Sequence, residues 1–211
     1  MKAGIIGSGE VGQRLGDGLI GLEHKVMIGS RDPQKLAAWV SKHSEAASAG
    51  SFSDAATYGE MAVIATLWAG TKSALEMAGP KNFADKTVID VTNPLDFSSM
   101  PPKLAVGCTD SAGETIQRML PDAKVVKAFN IVGNPLMVHP EFPGGSPTMF
   151  ICGNDDGAKK VVNGIVTAFG WECIDIGGIE GSRLLEQLAM LWMTYYFRTN
   201  TGNHAFKLLR K

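Results

Sequence analysis

The chain has 211 residues, with 20 basic and 21 acidic side chains and a formal net charge of −1 at pH 7. This length fits one large domain, or one domain with an appendage, and the even charge balance argues against a nucleic-acid partner. Cys108, Cys152 and Cys173 have neither metal-binding nor redox spacing, so we expect reduced thiols in a cytoplasmic protein. We expect no signal peptide, because the first predicted strand begins almost at residue 1. We expect no membrane span, because the longest apolar run, Leu188–Phe197, is too short.

The first predicted element is a strand, Ala3–Ile6, which leads into Gly7-Ser8-Gly9-Glu10-Val11-Gly12 and then a helical pattern. This order of strand, glycine-rich turn and helix is typical of a dinucleotide-binding fingerprint. Gly7 allows the tight turn, Gly9 lets the backbone approach a pyrophosphate, and Gly12 lets the helix pack against the strand. We therefore expect the phosphates at the helix N-terminus, where free N–H groups favour an anion.

The second predicted strand, Lys25–Gly29, ends in Ser30-Arg31. A carboxylate at this place would bind the ribose hydroxyls and repel a 2′-phosphate, whereas a hydroxyl and a guanidinium do the reverse. Lys35, four residues after Arg31, adds a second cation on the same side. The segment therefore predicts an NADP(H) site.

Short apolar runs alternate with helical patterns along the rest of the chain. This predicts an α/β fold, a doubly wound, mostly parallel Rossmann sheet with a small C-terminal α/β extension. Strands are predicted at Ala3–Ile6, Lys25–Gly29, Met61–Thr66, Thr87–Val91, Lys124–Phe129, Thr148–Cys152 and Trp171–Ile176, with a weaker one at Ala47–Phe52. Helices are predicted at Val11–Gly21, Pro33–His43, Gly70–Ala78, Ser111–Leu120, Asp156–Phe169 and Ser182–Thr199. We expect an NADP-binding domain over residues 1–135, followed by a substrate-cleft and dimerisation region over residues 136–211.

Three further segments follow predicted strands and should lie beside the glycine-rich loop. Ligands of such sheets bind beyond the carboxyl ends of the strands, near the point where the strand order reverses. The candidate cofactor-binding residues in these segments are Thr66, Leu67, Trp68, Asn93, Pro94, Ala128 and Asn130. The two asparagines suit a nicotinamide amide or a ribose, although each is equally a turn residue that binds its own backbone.

The C-terminal part begins with a loop, Gly133–Pro147, that is rich in proline and glycine and is predicted to form one wall of a substrate cleft. The last predicted helix is apolar on every side, with Leu184, Leu188, Leu191 and Tyr195 sharing one face. Such a helix must be buried on several sides, which predicts a homodimer through this helix. The alternative is a helix buried entirely within one protomer.

No side-chain pattern indicates a metal site or a dedicated catalytic residue. The four histidines are isolated in the sequence, and no nucleophile and base follow a known order. Hydride transfer between two bound redox cofactors needs proximity and orientation above all, and it works without a proton-transfer side chain. We therefore predict no catalytic residue and no metal.

Several of these motifs resemble those of the NADP oxidoreductases that use coenzyme F420, an 8-hydroxy-5-deazaflavin. The resemblance is carried by Gly7–Gly12, by Ile28–Lys35, by Cys152–Asp156 with Lys159–Val162, and by Gly181–Glu186. It implies reversible hydride exchange between NADP(H) and the deazaflavin on a dimer, with Ser30, Arg31 and Lys35 at the 2′-phosphate.

One segment, Val126–Asn130, is more similar to the cytosolic NADPH-binding domain of the six-transmembrane metalloreductases, which passes electrons to a flavin. The acceptor therefore stays open between coenzyme F420, FMN or FAD, and a small carbonyl or imine. A flavin or deazaflavin needs a partly apolar cleft, for which Trp68, Leu95, Ile131 and Met137 are candidates. A carbonyl or imine needs a proton donor, for which His139, Tyr195 and Tyr196 are candidates. A third hypothesis is a non-catalytic NADP(H) sensor.

Overall fold

The computed structural model describes all residues from Met1 to Lys211. Its strands are β1 (Lys2–Ile6), β2 (Lys25–Gly29), β3 (Ala47–Gly50), β4 (Met61–Ile64), β5 (Thr87–Asp90), β6 (Leu95–Asp96), β7 (Lys103–Leu104), β8 (Lys124–Lys127), β9 (Thr148–Gly153) and β10 (Glu172–Asp175). Its α-helices are α1 (Glu10–Gly21), α2 (Ala37–His43), α3 (Phe52–Tyr58), α4 (Trp68–Ala78), α5 (Ala112–Met119), α6 (Asp156–Ala168) and α7 (Ser182–Thr199). Short 3-10 helices lie at Pro33–Leu36, Ser44–Ala46, Pro80–Phe83, Asn134–Leu136 and Ile179–Gly181.

Eight strands form one sheet in the order β10-β9-β8-β5-β4-β1-β2-β3, and β6 and β7 form a separate antiparallel pair. Neighbouring strands of the large sheet are parallel, except that β8 and β9 are antiparallel. The predicted doubly wound, mostly parallel α/β fold is confirmed. The chain leaves β3 at one edge and returns to β4 beside β1. The strand order therefore reverses between β1 and β4, directly at the glycine-rich loop.

Two hydrophobic cores lie on the two faces of the sheet. Ile5 of β1 and Val63 of β4 belong to the core that includes Leu15 of α1. The residues that follow them, Ile6 and Ile64, belong to the core beneath α3, α4 and α5. Consecutive strand residues point to opposite faces, so a sheet covered on both sides requires strands that are apolar throughout.

The region between β2 and β4 differs from the prediction. The weak strand expected at Ala47–Phe52 ends at Gly50, because Ser51 begins a helix, α3, that the sequence analysis did not predict. The Ser51 hydroxyl accepts a hydrogen bond from the Asp54 N–H at 3.1 Å, and the Asp54 carboxylate accepts one from the Ser51 N–H at 2.9 Å. This reciprocal pair is a capping box, which stabilises a helix start.

Other element bounds also shift. The helix predicted over Pro33–His43 divides into a 3-10 turn and α2. The strand predicted over Lys124–Phe129 ends at Lys127, and Phe129 has a left-handed backbone with φ of 60°. An extended strand cannot continue through that conformation.

The C-terminal strands β9 and β10 extend the main sheet, with β9 pairing against β8. The predicted boundary between residues 135 and 136 falls inside the 3-10 turn Asn134–Leu136, the one helical turn in the loop Gly133–Pro147. The division into two functional regions stays a prediction.

Helix α7 packs on the protein through one side only. Leu185, Ala189 and Trp192 are buried, whereas Leu184 and Leu191 are 68% and 58% exposed. The alternative of a helix buried entirely within one protomer is therefore wrong for the single chain, because its Leu184 face has no partner there. No helix, α7 included, combines the length and apolar character needed to cross a membrane.

Candidate functional site

A cleft of about 740 Å³ opens at the carboxyl ends of β1, β2, β4 and β5, where the strand order reverses. This volume lies within the range of small-molecule sites. Most of the predicted cofactor-binding residues line it, namely Gly7, Ser8, Gly9, Glu10, Val11, Ser30, Arg31, Lys35, Thr66, Leu67, Trp68 and Asn93. The structure thus brings together segments that lie far apart in the sequence.

The three glycines of the loop after β1 have three different surroundings. Gly7 has φ of 127°, and a Cβ there would lie 2.3 Å from the Ala65 carbonyl oxygen. A Cβ on Gly12 would lie 2.1 Å from the Gly7 carbonyl oxygen, so Gly12 supports helix packing and does not line the cleft. A Cβ on Gly9 would meet no atom within 4 Å, because Gly9 faces the open cleft.

The N-terminus of α1 suits an anion. Its N-cap residue is Gly9, and no side chain caps the free N–H groups of the first turn. The aligned peptide dipoles add a partial positive charge at this end. Open space over Gly9 next to unpaired donors is the arrangement that a dinucleotide pyrophosphate requires, so the residues present fit NADP(H).

The segment after β2 carries the cleft's positive charge. The buried Ser30 hydroxyl accepts a hydrogen bond from the Asp32 N–H at 3.1 Å and lies 3.1 Å from the Ser8 hydroxyl. Arg31 is exposed and lines the cleft, and Lys35 lies 3.6 Å from the Asp32 carboxylate. Asp32 is a lining residue that the sequence analysis missed, although it follows Arg31 directly.

The walls after β4 and β5 are apolar or neutral. Leu67 is 76% exposed at the rim, and Trp68 begins α4 beside it. Leu95 and Phe97 approach from the short pair formed by β6 and β7, and Phe97 is 56% exposed. Phe97 was not predicted, because the hairpin that presents it has no pattern of its own in the sequence.

The two candidate asparagines form a pair in which only Asn93 lines the cleft. The Asn93 side chain donates to the Asn130 carbonyl at 2.8 Å, and the Asn130 side chain donates to Asn93 Oδ1 and to the Leu185 carbonyl, both at 3.0 Å. Asn130 and Ala128 are buried behind the wall, and Pro94 also lies outside the lining. Direct contact of these three with a cofactor stays a prediction.

The remaining candidates of the sequence analysis lie away from the cleft. Ile131 and Met137 are buried in the core. His139, Tyr195 and Tyr196 do not line the cleft, and Asn134 is the one lining residue from the loop Gly133–Pro147. No group of three histidine, cysteine, aspartate or glutamate side chains is placed to hold a metal.

Comparison with known proteins assigns a family to this cleft. The sequence model of a family described as "NADP oxidoreductase coenzyme F420-dependent" matches residues 2–94. The 1.70 Å crystal structure of a protein described as a candidate F420-dependent NADP reductase, from Arthrobacter sp. FB24, is 38% identical and covers 99% of both chains, with a TM-score of 0.93. This chain belongs to the coenzyme F420-dependent NADP oxidoreductase family.

Two curated relatives of the oxidoreductase agree with both resemblances noted in the sequence. The F420-dependent NADP reductase of Methanocaldococcus jannaschii is 28% identical over 204 residues, which is 90% of each chain. The rat metalloreductase STEAP3 is 26% identical over 190 residues, 90% of this chain but 36% of STEAP3. The chain thus spans about a third of the length of that metalloreductase. The predicted family and the prediction of an NADP-dependent oxidoreductase are confirmed.

The open space at Gly9 leads to a prediction about NADPH binding by the oxidoreductase. We expect Gly9→Ala to raise the Kd for NADPH by about tenfold or more, because the new methyl group occupies the place of the pyrophosphate. The free energy of unfolding should change by no more than about 1 kcal/mol, since the Cβ meets no protein atom. Fluorescence titration and thermal melting measure the two quantities.

Gly164→Ala is the matched control. Gly164 lies on the exposed side of α6, and its Cβ would also meet no atom within 4 Å. This variant should bind NADPH with the affinity of the natural chain. Unchanged NADPH affinity in Gly9→Ala would show that the pyrophosphate lies elsewhere.

Proposed function

We propose that the oxidoreductase exchanges a hydride reversibly between NADP(H) and coenzyme F420. NADPH, one proton and oxidised deazaflavin give NADP⁺ and the reduced deazaflavin. The family supports this reaction, and one observation carries the choice of acceptor. The cleft walls after β4 and β5 consist of apolar and neutral polar side chains and contain no acid or base.

The charge distribution orients the cofactor. Arg31 and Lys35 hold the 2′-phosphate beyond β2, with Ser30 between them and the glycine-rich loop. The pyrophosphate lies over Gly9, and the dinucleotide continues towards β5. Three strand spacings separate β2 from β5, about 14 Å, so the nicotinamide half lies beside Thr92 and Asn93.

The apolar rim next to that end suits a planar ring. Trp68, Leu95 and Phe97 line the cleft there, and Leu67 and Phe97 expose large apolar surfaces to solvent. Exposed apolar side chains that cluster at a cleft mark a binding surface. Of the four residues first considered for this role, Trp68 and Leu95 line the cleft, whereas Ile131 and Met137 do not. Phe97, which was not considered, also lines it.

A small carbonyl substrate is less suited to this cleft. Reduction of a carbonyl develops negative charge on oxygen, which requires a proton donor within hydrogen-bond reach. The three candidate donors lie elsewhere, with Tyr195 packed edge-on against His204 and Tyr196 stacked on Trp192. Transfer between two bound rings depends on orientation, which the apolar walls provide.

The proposed acceptor is tested by anaerobic stopped-flow absorbance with NADPH and, in separate runs, oxidised coenzyme F420, FMN, FAD and a cyclic imine. We expect rapid bleaching of the deazaflavin and slow reactions with the other three acceptors. Faster reduction of a flavin or the imine would contradict the proposed acceptor, and silence from all four would favour an NADP(H) sensor.

The proposed position of the acceptor beside Phe97 is tested with one variant and a control variant. Phe97→Ala should raise the KM for the deazaflavin while leaving the Kd for NADPH unchanged. Met100→Ala is the control, because Met100 is 66% exposed on the same hairpin region but does not line the cleft.

The assignment of Arg31 to the 2′-phosphate makes a separate prediction. We expect Arg31→Ala to raise the Kd for NADPH roughly ten- to hundredfold, because a charge-assisted phosphate contact is lost. The Kd for NADH should barely change. Arg14→Ala serves as the control, since Arg14 is exposed on α1 and lies outside the cleft. An equal loss of affinity for both cofactors would exclude Arg31 as the residue that recognises the phosphate.

We also propose that the oxidoreductase is a homodimer through α7. Leu184, Leu188, Leu191 and Tyr195 form a stripe along this helix, and three of them are more than half exposed. The stripe contains no charged side chain, so two copies related by a two-fold axis can bury it against itself.

The dimer is tested by sedimentation velocity. The natural chain should sediment as a dimer, and Leu191→Glu should sediment as a monomer because it places a charge in the stripe. Leu209→Glu is the control, as Leu209 is 82% exposed near the C-terminus, outside α7. A monomeric natural chain, or a dimer that survives Leu191→Glu, would refute this interface.

A further inference from the structure

A cluster of three charged side chains lies buried behind the cleft. Lys127 ends β8, Asp90 ends β5 and Glu186 lies in the first half of α7. The Lys127 ammonium is 2.7 Å from Asp90 Oδ2 and 2.9 Å from Glu186 Oε1, and none of the three side chains is more than 1% exposed. None of them lines the cleft, and the proposed function does not use them directly.

The remaining oxygens of both carboxylates are also bound. Asp90 Oδ1 accepts hydrogen bonds from the Thr92 N–H at 2.8 Å and the Thr92 hydroxyl at 2.7 Å. The Glu186 carboxylate accepts the N–H groups of Ala112 and Gly113, at 3.1 and 3.2 Å, where α5 begins. Burial raises the pKa of Glu186. Burial alone would lower the pKa of Lys127, but the two carboxylates outweigh it and raise that pKa.

A buried ionic cluster of this kind contributes little net stability, because apolar side chains of the same volume stabilise a core at least as well. Its geometry, by contrast, is fixed by directional bonds among four elements, β5, β8, α5 and α7. Small net stabilisation together with a fixed geometry points to a role of the cluster in positioning the residues that it binds.

The cluster holds one residue of the cleft wall. Thr92 lines the cleft, and all three of its polar groups are engaged: the N–H and the hydroxyl with Asp90, and the carbonyl with the Lys127 ammonium at 2.7 Å. The next residue, Asn93, is held from the other side by Asn130, which in turn donates to the Leu185 carbonyl. Consecutive residues of α7 therefore support both Thr92 and Asn93.

We propose that Lys127, Asp90 and Glu186 form a positioning cluster that fixes Thr92 and Asn93, and through them the nicotinamide half of NADP(H). This inference rests on the proposed function for the orientation of the cofactor. It assigns the cluster no contact with the adenosine half, which lies at the β2 end of the cleft. Disturbing the cluster should therefore affect one half of the cofactor and spare the other.

Glu186→Gln is the variant that tests the cluster. Glutamine keeps the shape and volume of the side chain, and Lys127 keeps Asp90 as its partner. Titrations of the full chain compare NADPH with adenosine 2′,5′-bisphosphate, which has the adenosine half and the 2′-phosphate but no nicotinamide. We expect a Kd for NADPH at least fivefold higher and an unchanged Kd for the bisphosphate.

Glu114→Gln is the matched control. Glu114 of α5 accepts a hydrogen bond at 2.8 Å from Arg183 of α7, so it joins the same two helices without reaching the cleft. This variant should bind both ligands as the natural chain does. An effect of Glu114→Gln as large as that of Glu186→Gln would overturn the proposal, because any loosening of α7 would then suffice.

Other outcomes are equally decisive. Glu186→Gln overturns the positioning role if it weakens both ligands equally or changes neither. If Glu186→Gln does not fold, Asp90→Asn takes its place with the same expected results, and failure of both to fold would show that the cluster serves folding and not positioning. A natural chain that binds NADPH but reduces no deazaflavin would refute the proposed acceptor and leave this binding comparison valid.

Discussion

The close contact between the start of α1 and the end of β1 determines where every other part of the cleft lies. A side chain at Gly12 would collide with the Gly7 carbonyl, and a side chain at Gly7 would collide with Ala65 after β4. With both side chains absent, the free N–H groups of α1 face the gap where the strand order reverses. The segments after β2, β4 and β5 then lie at fixed strand spacings from that gap, so the position of the glycine-rich turn sets the positions of all the others.

Charged and uncharged residues line different parts of the cleft. Three of the four charged lining residues, Arg31, Asp32 and Lys35, follow β2, and the fourth, Glu10, begins α1. The walls after β4 and β5 contain no charged residue. The match to the family model ends at residue 94, directly after Asn93. It thus includes almost all of the lining, and Leu95, Phe97 and Asn134 are the lining residues beyond it. Of the rim residues proposed for the acceptor, Trp68 lies inside this match, whereas Leu95 and Phe97 lie beyond it.

Most of what the sequence predicted depends on neighbours along the chain, and most of what it missed depends on distant contacts. The glycine-rich turn and Ser30-Arg31 are short segments whose chemistry is visible locally, and both line the cleft. Ile131 and Met137 were considered as apolar residues of the cleft, but the fold buries both of them in the core instead. The Lys127 cluster joins two strand ends and a helix that are remote in sequence, and no spacing rule reveals such a contact. Helix α3 was missed although its capping signature, Ser51 with Asp54, was readable.

Helix α7 faces two ways, and this has a thermodynamic consequence. Leu185 and Glu186 support the cleft wall from its inner side, while Leu184 and Leu191 lie on the outer, solvent-facing side of the same rigid element. A shift of this helix on formation of the proposed dimer would move both supports and would thereby link subunit association to cofactor binding. Linkage is reciprocal: the factor by which association tightens the nicotinamide site equals the factor by which the cofactor tightens association. The affinity of the protein for the cofactor would then depend on the concentration of the protein itself.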